Sequence, residues 1–228
     1  MKPIENPHYL GHRKRLKTKF LQDSTNFADY ELLELLLFSS HLRKDVKPLA
    51  KKLLQEFGSI EAVLSADNQM IKDLKDVNEN VLVSLKLFKE IISRSSKEKI
   101  TKKPIISNFE EVGDYCKFTM GNLQEEQFRI LFLDKKHHLI ADELMKKGNI
   151  EAVHIDVKDI VKKSLNVFAK SVILMHNHPN LTAKPSKADI VNTDQIIKTL
   201  KTVGIKVDDH LIIGNNNDLF SFKEAGFI

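Results

Sequence analysis

The sequence predicts an α+β protein: an all-helical N-terminal module, residues 1–98, then a second domain, residues 105–228, whose helices and strands share one sheet. Three observations carry this. Up to about Ser95, apolar residues recur at three- and four-residue spacing and never alternate with period two. Residues 95–104 are polar, basic and closed by Pro104, which suits an exposed connection. Beyond them, short β-prone runs alternate with helical ones.

The elements follow in order. Leu32, Leu35 and Leu36 mark a helix over Tyr30–Phe38 that Asp29 caps. Leu49, Leu53, Leu54 and Phe57 mark a second, capped by Asp45 and ended by Gly58. Ser59 opens a short helix, and Asn80–Ser93 reads as a long amphipathic one. In the second domain Phe128–Asp134 is a buried strand. His138–Ala141, Glu143–Lys146 and Glu151–Ile155 are weaker strands. Asp156–Leu165 has helical spacing, Ser171–His176 is a second buried strand, and Ser186–Val203 a long helix. Ile205–Val207, Leu211–Ile213 and Leu219–Phe222 close the chain as short strands.

Composition narrows the function. The 228 residues suit two small domains. One cysteine, Cys116, excludes a disulfide framework and a Cys-rich zinc module. No apolar run approaches the roughly 20 residues that cross a bilayer, and no signal peptide opens the chain. A soluble cytoplasmic protein without a membrane partner is expected. Charge is uneven: residues 1–103 hold 20 Lys+Arg against 14 Asp+Glu, whereas residues 104–228 hold 16 against 17. A local basic excess can favour nucleic acid, but this one is no larger than solvated helix faces commonly carry.

The chemistry concentrates in Met175-His-Asn-His-Pro-Asn-Leu-Thr-Ala-Lys-Pro-Ser-Lys-Ala-Asp189. On a strand, His176 and His178 point to the same face. Pro179 ends the strand, and an eleven-residue step brings Asp189 into the first turn of a helix. Two histidines and one aspartate with an open fourth position make a catalytic zinc site. Ser186-x-x-Asp189 is equally an N-capping pair, and a capped helix start can still present Asp189 to a metal.

These residues resemble a known family. His176-x-His178-Pro179 followed by Pro185-Ser186-x-x-Asp189 is similar to the JAMM motif of MPN/JAB metallopeptidases. His-Asn-His-Pro with Thr193 and Asp209-His210-x-x-x-Gly214 resembles the RadC branch. Gly11-His-Arg-x-Arg-Leu, Asp29–Phe38 and Asp45–Ala50 are similar to that family's N-terminal region, which resembles a helix-hairpin-helix. The resemblance implies a cytidine-deaminase-like domain with one mixed sheet, binding one zinc ion per chain through His176, His178 and Asp189. It implies Glu126, two residues before Phe128, as general base, and Ser186 as donor to a tetrahedral oxyanion. The implied activity is hydrolysis of an amide or isopeptide bond in a protein or peptide substrate by a metal-bound water. The alternative is a DNA-associated protein whose basic N-terminal module engages nucleic acid while the second domain cuts or scaffolds.

Two departures from the family bear on this. His-Asn-His-Pro usually continues with Ser-Gly; here Asn180-Leu181 follows, and Leu181 lacks glycine's left-handed freedom, so a differently shaped loop is expected. The Gly-Val-Gly turn that approaches a DNA phosphate is replaced by Asp76-Val-Asn-Glu79. The cluster His12-Arg-Lys-Arg15, Lys17 and Lys19 reads as a solvated helix face. Asp209 and His210 either orient a ligand or form a structural pair. His137 and His138 read as surface, and Cys116 as an inert thiol.

Overall fold

A computed structural model describes residues 8–42, 44–102, 104–105, 109–148, 156–215 and 218–228. The chain forms two compact units, Met1–Ile91 and Ile92–Ile228.

The first unit contains α1 (His8–Gln22), α2 (Asp29–Leu37), α3 (Lys47–Phe57), α4 (Ile60–Ser65), α5 (Asn68–Lys72) and the start of α6 (Glu79–Lys102). Its buried side chains include Leu33 and Leu37 of α2, Leu49 and Leu53 of α3, and Val81 and Leu85 of α6, each pair at four-residue spacing, with Val63 and Ile71 from the short helices. The caps explain the boundaries. Ala28, not Asp29, is the N-cap of α2, and Glu31 reaches back to accept from the Ala28 N–H at 3.1 Å. Val46, not Asp45, is the N-cap of α3, and Asp45 one residue earlier accepts from Lys47 N–H; Gly58 ends that helix at φ 87°, and Ser59 caps α4.

Part of the basic cluster serves the fold rather than solvent. His12 lies 2.6 Å from the buried carboxylate of Glu34. Arg13 donates to the carbonyls of Phe38, His41, Leu42 and Lys44, gathering the chain that leaves α2. In the turn before α6, Asp76 takes a positive φ of 71° and pairs with Lys44, while Asn78 accepts from Val81 N–H to cap α6.

The segment expected as an exposed connection is helical as far as Lys102, and Ile100 is fully buried. The helical burial pattern continues into it under a polar surface, and Pro104 beyond the helix lacks the N–H that another turn would need.

The second unit adds α7 (Phe109–Met120), β1 (Gln127–Leu133), β2 (Leu139–Lys147), α8 (Val157–Asn166), β3 (Ser171–Asn177), α9 (Lys187–Thr202), β4 (Lys206–Ile213) and β5 (Leu219–Ser221). The strands form one mixed sheet in the order β2-β1-β3-β4-β5, parallel only between β3 and β4. Alternation divides its core. Leu131, Leu133, Ile173 and Met175 pack with Val112, Tyr115, Cys116 and Met120 of α7. Phe128, Ile130, Phe132, Val172 and Leu174 pack with Ile160 of α8 and with Ile196 and Leu200 of α9. Each large apolar side chain buried this way stabilises the sheet by about 1.5–3 kcal/mol. That reserve lets β3 carry polar side chains at its buried end.

Several elements differ from expectation. The helix α7 was not anticipated. The two weak strands join as β2, because Asp142 between them is buried in an ion pair with Arg129 (2.9 Å) and accepts from Tyr115 O–H. Ile205–Val207 and Leu211–Ile213 are one strand, since Asp208, Asp209 and His210 between them are all buried. His137 is no simple surface residue: its Nδ1 lies 2.9 Å from buried Asp208. Glu151–Ile155 lies outside the described residues.

Candidate metal centre

Parallel pairing of β3 with β4 and antiparallel pairing with β1 bring the site together. Phe128 of β1 faces His176 across one ladder, and Ile212 of β4 faces it across the other. His178 N–H donates to Ile213 C=O at 2.8 Å, so the chain stays extended one residue beyond β3. His176 and His178 therefore share the sheet face that α9 covers. Ser186 caps α9, accepting from Asp189 N–H at 3.1 Å, and donates its own N–H to Asp189 Oδ2 at 2.7 Å. This reciprocal cap fixes the carboxylate at the first helical turn, pointed at the two imidazoles.

Among the described residues, His176, His178 and Asp189 form a group whose ligand atoms all lie within 4.8 Å of one another. The two Nε2 atoms are 2.8 Å apart. Asp189 Oδ1 is 3.3 Å from His176 Nε2, and Oδ2 is 3.4 Å from His178 Nε2. Ligands at about 2.05 Å around a tetrahedral zinc sit about 3.3 Å apart. The Asp189 separations match this and the two Nε2 atoms lie about 0.5 Å closer, so the donor set suits a small divalent ion once the imidazoles part slightly.

The electrostatics favour a cation. Burial opposes protonation of His178, but Asp189, the Thr182 carbonyl and the charge of Glu126 outweigh it and raise its pKa. Burial likewise works against ionising Asp189. Hydrogen bonds from His176, His178 and Ser186 overcome it and hold the carboxyl well below the usual range.

The loop between the ligands has its own constraints. The left-handed residue is Asn180, at φ 60°, and not Leu181. Asparagine tolerates that conformation, so the departure from Ser-Gly does not force the loop elsewhere. Asn215 N–H donates to Leu181 C=O at 2.6 Å, and Ala183 N–H to Asp218 Oδ2 at 3.1 Å.

Glu126 immediately precedes β1, close enough for its charge to act on His178. Glu125 is turned elsewhere, in an exposed ion pair with Lys147 at 3.0 Å. Sequence reading overlooked Asn177 between the two histidines. It is buried, accepts from Gln127 N–H at 2.8 Å and donates to Glu125 C=O at 3.2 Å. Its amide therefore clamps the backbone on both sides of Glu126. An asparagine where an apolar strand residue belongs was the available signal.

Asp209 and His210 part ways. Asp209 accepts from His210 N–H, Ser221 O–H and Lys223 N–H, and ties β4 to the chain's last residues. Burial raises its pKa, and these bonds oppose the rise. His210 instead faces the site, its Nε2 at 2.8 Å from His176 Nδ1. Cys116 is buried, and burial pushes its thiol pKa far up, so the thiol is inert. No helix among the described residues is long and apolar enough to cross a membrane. Residues 106–227 match the family model described as a RadC-like JAB domain.

Proposed function

Because the chain belongs to the RadC-like JAB domain family, we propose that its second unit is a metal-dependent hydrolase, loaded with zinc, that cuts an amide or isopeptide bond in a protein or peptide. The observation that carries this reading is the convergence of His176, His178 and Asp189 within 4.8 Å, beside a carboxylate whose field reaches His178. Three protein ligands of N, N and O type are the number and kind that catalytic zinc sites use. Zinc held there supplies Lewis acidity, lowering the pKa of water to about 7 and polarising a carbonyl.

The chain's own residues do the rest. Glu126 lies outside the ligand set and would take a proton from the nucleophilic water and pass it to the leaving amine nitrogen. Asn177 holds the peptide groups around it, which fixes where that carboxylate sits. Ser186 accepts from Asp189 N–H, which leaves its single hydroxyl proton to donate to the oxyanion. The helical part, residues 1–98, would recruit the substrate or a partner. The basic excess of residues 1–103 favours DNA as that partner, but Arg13 is turned onto backbone carbonyls and the turn before α6 carries Asp76 and Glu79, which disfavour it.

The test is Glu126→Gln, assayed against a fluorogenic peptide and isopeptide library. Zinc content should match the parent while hydrolysis falls at least about 100-fold, the lower range for a general base. Hydrolysis at the parent's rate in Glu126→Gln would remove Glu126 from the mechanism.

A further inference from the structure

We propose that Lys89 is an acylation site of the first unit: its amine takes a short acyl group from a thioester, and the acyl chain comes to rest in the cavity that Lys89 lines. The site belongs to the helical unit and does not depend on the metal centre or its activity.

A cavity of about 210 Å³ lies where α4 and α5 meet α6. Its floor is apolar: Leu64, Ile71, Leu82 and Leu85 line it and are themselves buried. Drug-sized ligands occupy sites of about 300–1,000 Å³, so this one takes only a small group. An apolar cavity of about 150 Å³ already holds a benzene ring, so a chain of a few carbons fits here.

Lys86 and Lys89, adjacent along one face of α6, both line the cavity. Lys86 is exposed, whereas Lys89 is half-buried. The acids nearby do little to hold a charge on Lys89. Asp67 caps α5 and already accepts from Gln69 N–H at 2.7 Å. Glu61 of α4 favours the Lys89 ammonium, but burial outweighs it and lowers the amine's pKa. A desolvated lysine beside apolar side chains is the form that attacks carbonyl carbon.

Acylation satisfies the amine and the cavity together. The Lys89 nitrogen bonds to the thioester carbonyl carbon, the C–S bond breaks, and the nitrogen's surplus proton leaves with the thiol. Nothing is oxidised or reduced. The product is an uncharged amide, so the penalty on a half-buried ammonium is gone. Its chain covers apolar floor that α4, α5 and α6 leave open, which stabilises the unit.

The test uses the full chain at about pH 8, where an ordinary lysine is protonated. It is treated with equal amounts of the acetyl and butyryl thioesters of N-acetylcysteamine, and its lysines are mapped by peptide mass spectrometry. Lys89 should be acylated ahead of Lys52, an exposed lysine of α3 that does not line the cavity. Each buried methylene is worth about fourfold. Burying one or both of butyryl's extra methylenes therefore sets the butyryl-to-acetyl ratio at Lys89 about 4- to 15-fold above that at Lys52. The thermal midpoint should rise on butyrylation in the parent and not in Lys89→Arg. Occupancy at Lys89 no higher than at Lys52, the same butyryl-to-acetyl ratio at both, or equal midpoint changes in parent and variant overturns the proposal. If Lys89→Arg does not fold, the lysine map of the parent decides alone.

Discussion

Replacing Gly214 by alanine places a methyl group where the ligand loop already runs. Gly214 follows β4, and its φ is not in the left-handed region, so the backbone itself accepts alanine. The obstacle is steric: a Cβ there meets Ala183 N at 2.3 Å, the Thr182 carbonyl carbon at 2.6 Å and Leu181 O at 2.9 Å. Ordinary contact starts near 3.4 Å, so the loop has to retreat by about 1 Å. All three atoms are backbone, with no flexible side chain to yield. They belong to the segment joining His178 to Asp189, so relief moves one ligand against the other. Overpacking of this kind costs about 1–3 kcal/mol. Taken from the metal-bound state, that is about 5- to 150-fold weaker zinc binding. Chelator competition measures it directly. Gly204→Ala is the control: its Cβ meets nothing, but φ is 73°, so stability should drop by about 1–2 kcal/mol while zinc affinity holds. Zinc affinity in Gly214→Ala within about twofold of the parent, where 0.4 kcal/mol is the whole change, would refute the steric coupling.

Two further predictions concern protons. The raised pKa of His178 means that its protonated form persists to higher pH than in an ordinary histidine, and zinc must displace that proton. Apparent zinc affinity should fall about tenfold per pH unit below this pKa and level off above it; a flat profile down to about pH 5.5, below the ordinary histidine value, contradicts it. Glu34 is buried against His12, and burial raises its pKa despite that partner. A carboxyl raised by folding contributes stability below its unfolded pKa and loses it as pH rises through the folded value. Glu34→Gln should therefore have the higher thermal midpoint at neutral pH, and the gap should close below about pH 4, where both forms are uncharged. A lower midpoint at neutral pH would show that the ionised pair stabilises the first unit.

The clustering of His176, His178 and Asp189 was legible because strand alternation and a capping box are local rules. His176 and His178 share a face by period two, and Ser186 with Asp189 obey helix-start chemistry. What escaped was non-local. Asp208, Asp209 and His210 read as a polar break, yet each finds a partner on another element, so β4 runs through them. Arg13 looked like a solvated cation because its carbonyl partners lie 25–31 residues away. In α7, Val112, Tyr115, Cys116 and Met120 do have helical spacing, but Gly113 and the acidic start obscured it. Nothing local announces that Asn177 clamps Glu126, or that Thr193 meets a histidine 17 residues on. The loop departure was misplaced by one residue: the left-handed position fell on Asn180, which tolerates it.

Metal content bears most directly on the whole account. Untagged protein should be weighed by native mass spectrometry and assayed by elemental analysis, alongside His176→Ala/His178→Ala. The account predicts about one zinc per chain in the parent and none in the variant. A parent that takes up no metal even when zinc is supplied would contradict it, and the cluster of His176, His178 and Asp189 would then be a proton-bridged structural knot in a binding module.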